Sequence, residues 1–200
     1  MLIRRAMILD FLNSSDGRNR LRIRGFEDIR DGILEGRKRL EEHVRDTCII
    51  VVLLGAGGRG IERRREIARK LEENWILVLI PEDDFAPDVA PSLTEEAILE
   101  RADVDLIFVN VESWGSVVEF VQFHNKELIA PKLRVLTLYK YHPLYASSKS
   151  YLTDLYLTHL AKYGHVYAYD DGKGRVFPTS EKIIVTLSLR YKQLKALGKI

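Results

Sequence analysis

The chain has 200 residues, of which 46% are hydrophobic and 30% are charged, which is enough for one globular domain with a large core. Its formal net charge is only +2, which excludes a strongly basic protein that coats nucleic acid. We therefore expect no nucleic-acid partner. The single cysteine, Cys48, excludes an internal disulfide framework and a metal site built from cysteines.

The first segment, residues 1–46, is predicted to be an N-terminal extension. Apolar residues at helical spacing predict an amphipathic helix over 26–46, packed either on the sheet described below or on a second subunit of a homodimer. Ahead of it, residues 13–17 resemble a turn, and the alternation over 21–24 is compatible with a short edge strand.

From residue 47 to residue 200 the sequence alternates short β-rich runs with longer helical patterns. The strand candidates are 47–54, 75–80, 104–111, 133–139 and 165–169. The helix candidates are 61–74, 92–102, 115–125, 151–163 and 180–197. Cys48 should lie at the start of the first strand as an inert buried thiol.

This alternation predicts an α/β fold, in which a five-stranded parallel sheet is covered by helices on both faces. The first three strand candidates are apolar without interruption, as expected when both faces of a sheet are buried. Right-handed crossovers favour a doubly wound, flavodoxin- or Rossmann-like sheet of order 2-1-3-4-5. Ligands then bind between the first and third strands, beyond their carboxyl ends.

A glycine-rich loop follows the first strand and opens the next helix, at Gly55, Gly57, Gly58, Arg59 and Gly60. Glycines there allow the backbone to approach a ligand, and the amides at the start of a helix favour an anion such as phosphate. The alternative is that these glycines only form a tight turn. The neighbouring arginines 63–65 can reach a phosphate, but their position between Glu62 and Glu66 on one helix favours a solvated face.

The loop after the third strand carries the second candidate site. Ser113 or Ser116 can cap the following helix, Gly115 permits close approach, and Glu119 lies in its first turns. The helix dipole should keep Glu119 ionised, as a glycosyl nucleophile requires. The alternative for Glu119 is a surface residue that complements the dipole.

The segments 81–83, 92–96, 102–105 and 112–120 resemble the nucleoside 2-deoxyribosyltransferase-like superfamily, which includes SLOG-type nucleotide sensors. In its transferases the loop reads D-x-G-T-x-x-E, so the resemblance implies that Glu119 is the nucleophile. It also implies that Gly115 and Ser116 line the phosphate or sugar. Ser113 stands at the aspartate position, which leaves Glu112 to orient the substrate.

Two further residues are candidates for ligand contacts. Asp83, in an acidic loop after the second strand, can meet a ribose, and Tyr141, after the fourth strand, can stack on a base. Packing of the loop is the alternative for Tyr141, and a solvated position is the alternative for Asp83. The histidines lack metal-ligand spacing, so no metal site is expected.

The sequence thus favours a domain that binds a small nucleotide and cleaves or transfers at its N-glycosidic bond, without a metal or redox cofactor. The same pocket can instead serve a nucleotide sensor without turnover. A third interpretation is an NAD(P)-binding oxidoreductase that uses the Gly55–Gly60 loop and Glu82.

No apolar run approaches the roughly 20 residues of a membrane helix, so we expect a cytoplasmic protein with no membrane partner. The high charge with few amide side chains is typical of thermophiles.

Overall fold

The computed structural model describes residues 15–85, 91–147, 149–172 and 176–200, with the backbone alone for 15–25 and 91. The chain divides into two units between Arg45 and Asp46. Within the described ranges, no helix combines the length and the apolar character that crossing a membrane requires.

The first unit contains helix α1, Ser15–Asp46. The helix predicted over 26–46 is confirmed, but the strand suggested for 21–24 is wrong, because these residues continue the same helix. Leu and Arg, which make up most of 21–24, are strong helix formers. Of the turn suggested for 13–17, residues 13 and 14 lie outside the described residues, and 15–17 are helical. Ion pairs between residues one helical turn apart, such as Arg37 and Glu41, stabilise the later part of α1.

The described residues of the second unit form a five-stranded sheet in which every neighbouring pair is parallel. The strands are β1 Ile50–Gly55, β2 Leu77–Leu79, β3 Val104–Asn110, β4 Leu133–Leu138 and β5 Val166–Tyr169. Their order is β2-β1-β3-β4-β5, so the predicted fold class and strand order are confirmed.

The helices follow the strands closely along the chain. Their bounds are α2 Arg59–Glu72, α3 Pro81–Asp84, α4 Pro91–Leu99, α5 Trp114–Phe123, α6 Tyr151–Tyr163 and α7 Ser180–Ala196. Only the short α3 was not predicted. Pro81 starts it, and the Asp84 carboxylate accepts a hydrogen bond from the Ile80 amide at 2.6 Å.

Alternate residues of β1 point into two separate cores. Val51 and Leu53 pack with buried residues of α2 and α7 on one face. Val52 and Leu54 pack with buried residues of α4, α5 and α6 on the other face. Burial on both faces accounts for the uninterrupted apolar runs in the sequence.

The prediction that Cys48 is a buried thiol at the start of the first strand is wrong. Cys48 is exposed and precedes β1, which begins at Ile50 because pairing with β2 begins there, at Leu77. The apolar run therefore starts two residues before the sheet does. The thiol of Cys48 is therefore not part of the core.

A buried lysine joins α7 to the end of α2. Lys192 is only 2% exposed, and its Nζ donates hydrogen bonds to the carbonyl oxygens of Asn74 and Trp75 at 2.9 and 2.8 Å. Trp75 has a positive φ of 59°, which turns the chain out of α2 and toward β2. The ammonium group thus holds a strained turn at the amino end of β2.

Replacing this ammonium with an apolar group of similar length should destabilise the fold. We expect Lys192→Met to lower the free energy of unfolding by about 2 kcal/mol, because the two carbonyl groups lose a charged donor. Urea unfolding measures the change. The control is Lys182→Met, at an exposed position on α7, which should change stability by less than about 0.5 kcal/mol. Equal effects of the two variants would contradict a bonding role for Lys192.

Candidate active site at the carboxyl edge

The loops after β1 and β3 meet at the carboxyl edge of the sheet, at the point where the strand order reverses. A small cleft of about 20 Å³ lies there, and both loops contribute to its lining. Gly55, Ala56 and Gly60 line it from the first loop, and Asn110 and Glu112 from the second. This is the position at which open α/β sheets bind their ligands.

The glycine-rich loop contributes to the cleft only in part. Gly55 and Gly60 line it, whereas Gly57, Gly58 and Arg59 are exposed and stand outside its lining in the described part of the chain. Gly58 has φ +59° and is the cap residue of α2, so the turn itself requires a glycine. The amides that open α2 lie at the same end of the sheet as the cleft.

Arg64 is the central side chain of this edge. It is only 5% exposed, and its Nη1 and Nη2 donate hydrogen bonds of 3.0 Å to the carbonyl oxygens of Leu53 and Ala56. The same two nitrogens hold both oxygens of the Glu82 carboxylate, at 2.8 and 2.6 Å. The solvated face predicted for the arginines is therefore wrong at Arg64. The signal for burial is its spacing, because Arg64 lies in register with Ile61, Ala68 and Leu71.

Glu119 lies in the second turn of α5 and is half-buried. In the described part of the chain it stands outside the cleft lining, as do Ser113, Gly115 and Ser116. Burial is the main cause that raises the pKa of its carboxyl group to about 7, the charges of Glu95 and Glu82 add to the rise, and the charge of Arg64 opposes it. The expectation that the helix dipole keeps Glu119 ionised is thus not met. Desolvation of a charge outweighs the dipole, which acts mainly within the first turn.

Glu95, on α4, is a partner that the sequence did not single out. The pKa of its carboxyl group is also raised to about 7, mainly by burial and in part by the charge of Glu82, while the charge of Arg64 opposes the rise. Glu95 and Glu119 each have a buried carboxyl oxygen that lacks a hydrogen-bond partner among the described residues. Nothing in the sequence of α4 separates Glu95 from Glu96, which forms an ion pair with Lys126.

Two such carboxyl groups titrate as a pair near neutral pH. When one of them loses its proton, its negative charge raises the proton affinity of the other, so apparent pKa values belong to both together. At pH 7 the pair holds on average about one proton. Near neutral pH the two groups thus supply one proton donor and one carboxylate, the combination that general acid catalysis and nucleophilic or base catalysis require.

Glu112 lines the cleft and is held by its neighbours. Its Oε1 accepts hydrogen bonds from the Tyr169 hydroxyl at 2.8 Å and from Asn110 Nδ2 at 2.6 Å. Arg63 lies 3.6 Å from the same oxygen and also forms an ion pair with Asp171. Burial and the Glu112 charge both raise the pKa of Tyr169, so its hydroxyl stays protonated and donates.

Ser113 and Ser116 form the helix cap that the sequence predicted. Ser113 Oγ accepts from the Ser116 amide at 3.3 Å, and Ser116 Oγ accepts from the amides of Ser113 and Glu112 at 2.9 and 3.0 Å. Ser116 is fully buried, while Gly115 is exposed. The capping box fixes the start of α5 and hence the direction in which Glu119 projects.

Asp83 and Tyr141 lie apart from the cleft lining in the described ranges. Arg65 holds both oxygens of Asp83, at 2.8 and 2.6 Å, and this bonding lowers the pKa of the aspartate. Tyr141 is half exposed, with the Lys140 ammonium 5.0 Å from its ring centre. Within the described residues, no group of three or more His, Cys, Asp or Glu is arranged to hold a metal ion.

No protein-family model matches this chain, and no curated protein is significantly similar to it. The resemblance to the deoxyribosyltransferase-like superfamily therefore stays a prediction. What the structure adds is the geometry of the cleft, the buried arginine and the carboxyl pair.

The raised pKa of Glu119 has a direct consequence for stability. A carboxyl group whose pKa is higher in the folded state than its usual 4.5 favours folding at low pH, and this contribution is lost as the pH rises from about 4.5 through about 7. Glu119→Gln removes the ionisation, so we expect it to raise the free energy of unfolding by about 1 to 3 kcal/mol at pH 8. At pH 5 the gain should nearly vanish.

Urea unfolding of both proteins at the two pH values measures this difference. Glu96→Gln, one position from Glu95, serves as the control, because the pKa of Glu96 is lowered by its hydrogen bond from Lys126. A Glu119→Gln variant that is less stable than the wild type at pH 8 would show that Glu119 is ionised and well paired in the fold.

Proposed function

We propose that the chain binds a nucleotide at the carboxyl edge of β1 and β3 and cleaves or transfers at its N-glycosidic bond. The observation that carries this proposal is the pair of half-buried carboxyl groups, Glu95 and Glu119, whose charges interact with Arg64, a residue that lines the cleft at the reversal point of the sheet. Glycosyl chemistry needs two carboxyl groups in opposite protonation states. Two carboxyl groups with pKa values of about 7 supply that combination at neutral pH.

In the proposed reaction, the bond between the sugar C1′ and the base nitrogen breaks, and its electron pair leaves with the base. Glu95, in its protonated form, donates its proton to that nitrogen. Glu119, as the carboxylate, forms a bond to C1′, and water or a second base then displaces it. In this second step the incoming water or base gives a proton to Glu95 as the bond between C1′ and Glu119 breaks, so the pair ends in its starting state.

The remaining residues of the edge fit roles in binding. The amides at the start of α2 and the guanidinium of Arg63, which lines the cleft, offer donors and positive charge to a phosphate. Glu112 is held by Tyr169 and Asn110, so it is positioned to accept a hydrogen bond from a sugar hydroxyl. These assignments extend the sequence-based roles of the Gly55–Gly60 loop and of Glu112.

A nucleotide sensor without turnover is the second candidate, favoured by Ser113. This side chain is engaged in the cap of α5 and supplies no charge to a substrate. A sensor predicts that a nucleoside monophosphate raises the melting temperature while remaining chemically intact. The oxidoreductase interpretation has lost its main support, because Arg64 binds both carboxylate oxygens of Glu82.

Release of free base tests the proposed activity. Wild-type protein is incubated with the ribo- and deoxyribonucleoside monophosphates and with NAD, and the products are separated by chromatography. We expect a bell-shaped dependence of the rate on pH with its maximum near pH 7, because the pair must hold one proton.

The matched variants are Glu95→Gln, Glu119→Gln and Glu96→Gln. The first two should reduce the rate by about 10²-fold or more, and the third should leave it within about twofold of wild type. Absence of base release from every substrate, or an undiminished rate in Glu119→Gln, would exclude the proposed chemistry.

A further inference from the structure

Two polar atoms at one corner of the cleft stand out because they are buried and unpartnered. Arg64 Nε and Asn110 Oδ1 make no hydrogen bond to any described residue, although each is shielded from solvent. Both side chains line the cleft, and Arg64 as a whole is only 5% exposed. An unsatisfied buried polar group destabilises a fold, so a pair of them at a cleft indicates a binding position.

The two side chains border the same small space, which Gly55 keeps open. A β-carbon built on Gly55 would lie 3.8 Å from Arg64 Nε and 3.7 Å from the Asn110 β-carbon. Gly55 has φ +154°, so its backbone conformation disfavours any larger residue. The glycine at the end of β1 thus places no side chain at this corner.

The hydrogen-bonding roles of the two atoms are determined by their other contacts. The four N–H groups on Nη1 and Nη2 of Arg64 are engaged with Leu53, Ala56 and Glu82, which leaves Nε–H as the unused donor. Asn110 Nδ2 donates to Glu112, so the amide is oriented with Oδ1 as the unused acceptor. The corner therefore offers one donor and one acceptor.

A hydroxyl group satisfies both atoms at once, since it accepts one hydrogen bond and donates another. A phosphate or carboxylate oxygen would satisfy Nε–H but would face the Asn110 oxygen without a proton to share. An ammonium group would satisfy Oδ1 but would face the Arg64 guanidinium, which has the same charge. The chemistry of the corner selects a neutral hydroxyl over either ion.

We propose that the corner formed by Gly55, Arg64 and Asn110 is a subsite for a ribose hydroxyl of the ligand. This inference rests on the proposed function for the identity of the ligand, and it adds the substrate class: nucleotides whose sugar keeps that hydroxyl. The hydroxyl accepts from Arg64 Nε–H and donates to Asn110 Oδ1. Discrimination against sugars that lack it follows, because their binding would leave both protein atoms buried and unpaired.

Isothermal titration calorimetry of the wild-type chain with four adenosine probes tests the subsite. The probes are AMP, 2′-deoxy-AMP, 3′-deoxy-AMP and 2′,3′-dideoxy-AMP. We expect the dideoxy probe to bind at least about tenfold more weakly than AMP, and one monodeoxy probe to share that loss and so identify the hydroxyl. Equal affinity of AMP and the dideoxy probe would overturn the proposal, as would binding of none of the four.

An Asn110→Leu variant links the discrimination to the corner. It removes the acceptor, so the ratio of the AMP and dideoxy affinities should fall to near one. Asn125→Leu, at an exposed asparagine beyond the end of α5, is the matched control and should keep the wild-type ratio. Discrimination that persists unchanged in Asn110→Leu would place the hydroxyl elsewhere. If that variant does not fold, the comparison of probes on the wild type still decides the matter.

Binding selectivity and base release are measured separately, so the two proposals fail separately. A chain that discriminates the hydroxyl but leaves every nucleotide intact has the subsite without the proposed chemistry. A chain that releases base at the same rate from AMP and its dideoxy analogue, with equal affinities, has the chemistry without the subsite.

Discussion

The buried guanidinium of Arg64 is the interaction on which this edge of the sheet depends. It binds the carbonyl oxygens of Leu53 and Ala56 and thereby fixes the backbone where β1 passes into the glycine-rich loop. It also holds both oxygens of Glu82, which joins α3 to the same point. Removing a buried charge of this kind would leave its partners unpaired, so the loop, the short helix and the strand end form one unit.

The same positive charge moderates the two carboxyl groups that the fold buries nearby. Glu95 and Glu119 are desolvated strongly enough that their pKa values rise to about 7, and Arg64 limits that rise. Without Arg64 both pKa values would be higher, and with a closer arginine they would be lower. The arrangement keeps one proton on two carboxyl groups at neutral pH, and ionisation of the pair costs the fold stability. A polar pair retained at such a cost is typical of a functional site.

The sheet could be predicted from the sequence because its signals are local. Uninterrupted apolar runs such as 50–54 indicate burial on both faces, and helices between them require parallel pairing. The position of Glu119 beside the cap at Ser113 also followed from local pattern. Arg64 and Glu95 could not be found in this way, because each is distinguished from neighbouring charges only by what other elements place around it. The prediction for Cys48 was wrong for a related reason, because the start of β1 is set by the residue of β2 with which it pairs.

The titration of the two buried carboxyl groups tests this account most directly. With glutamate labelled by ¹³C at the carboxyl carbon, signals of Glu95 and Glu119 can be assigned by single Glu→Gln variants and followed from pH 3 to pH 9. The account predicts that both signals move together, with midpoints near pH 7. Two independent midpoints near the ordinary glutamate value of 4.5 would show that the carboxyl groups are solvated and uncoupled, and would contradict a shared proton at the carboxyl edge of the sheet.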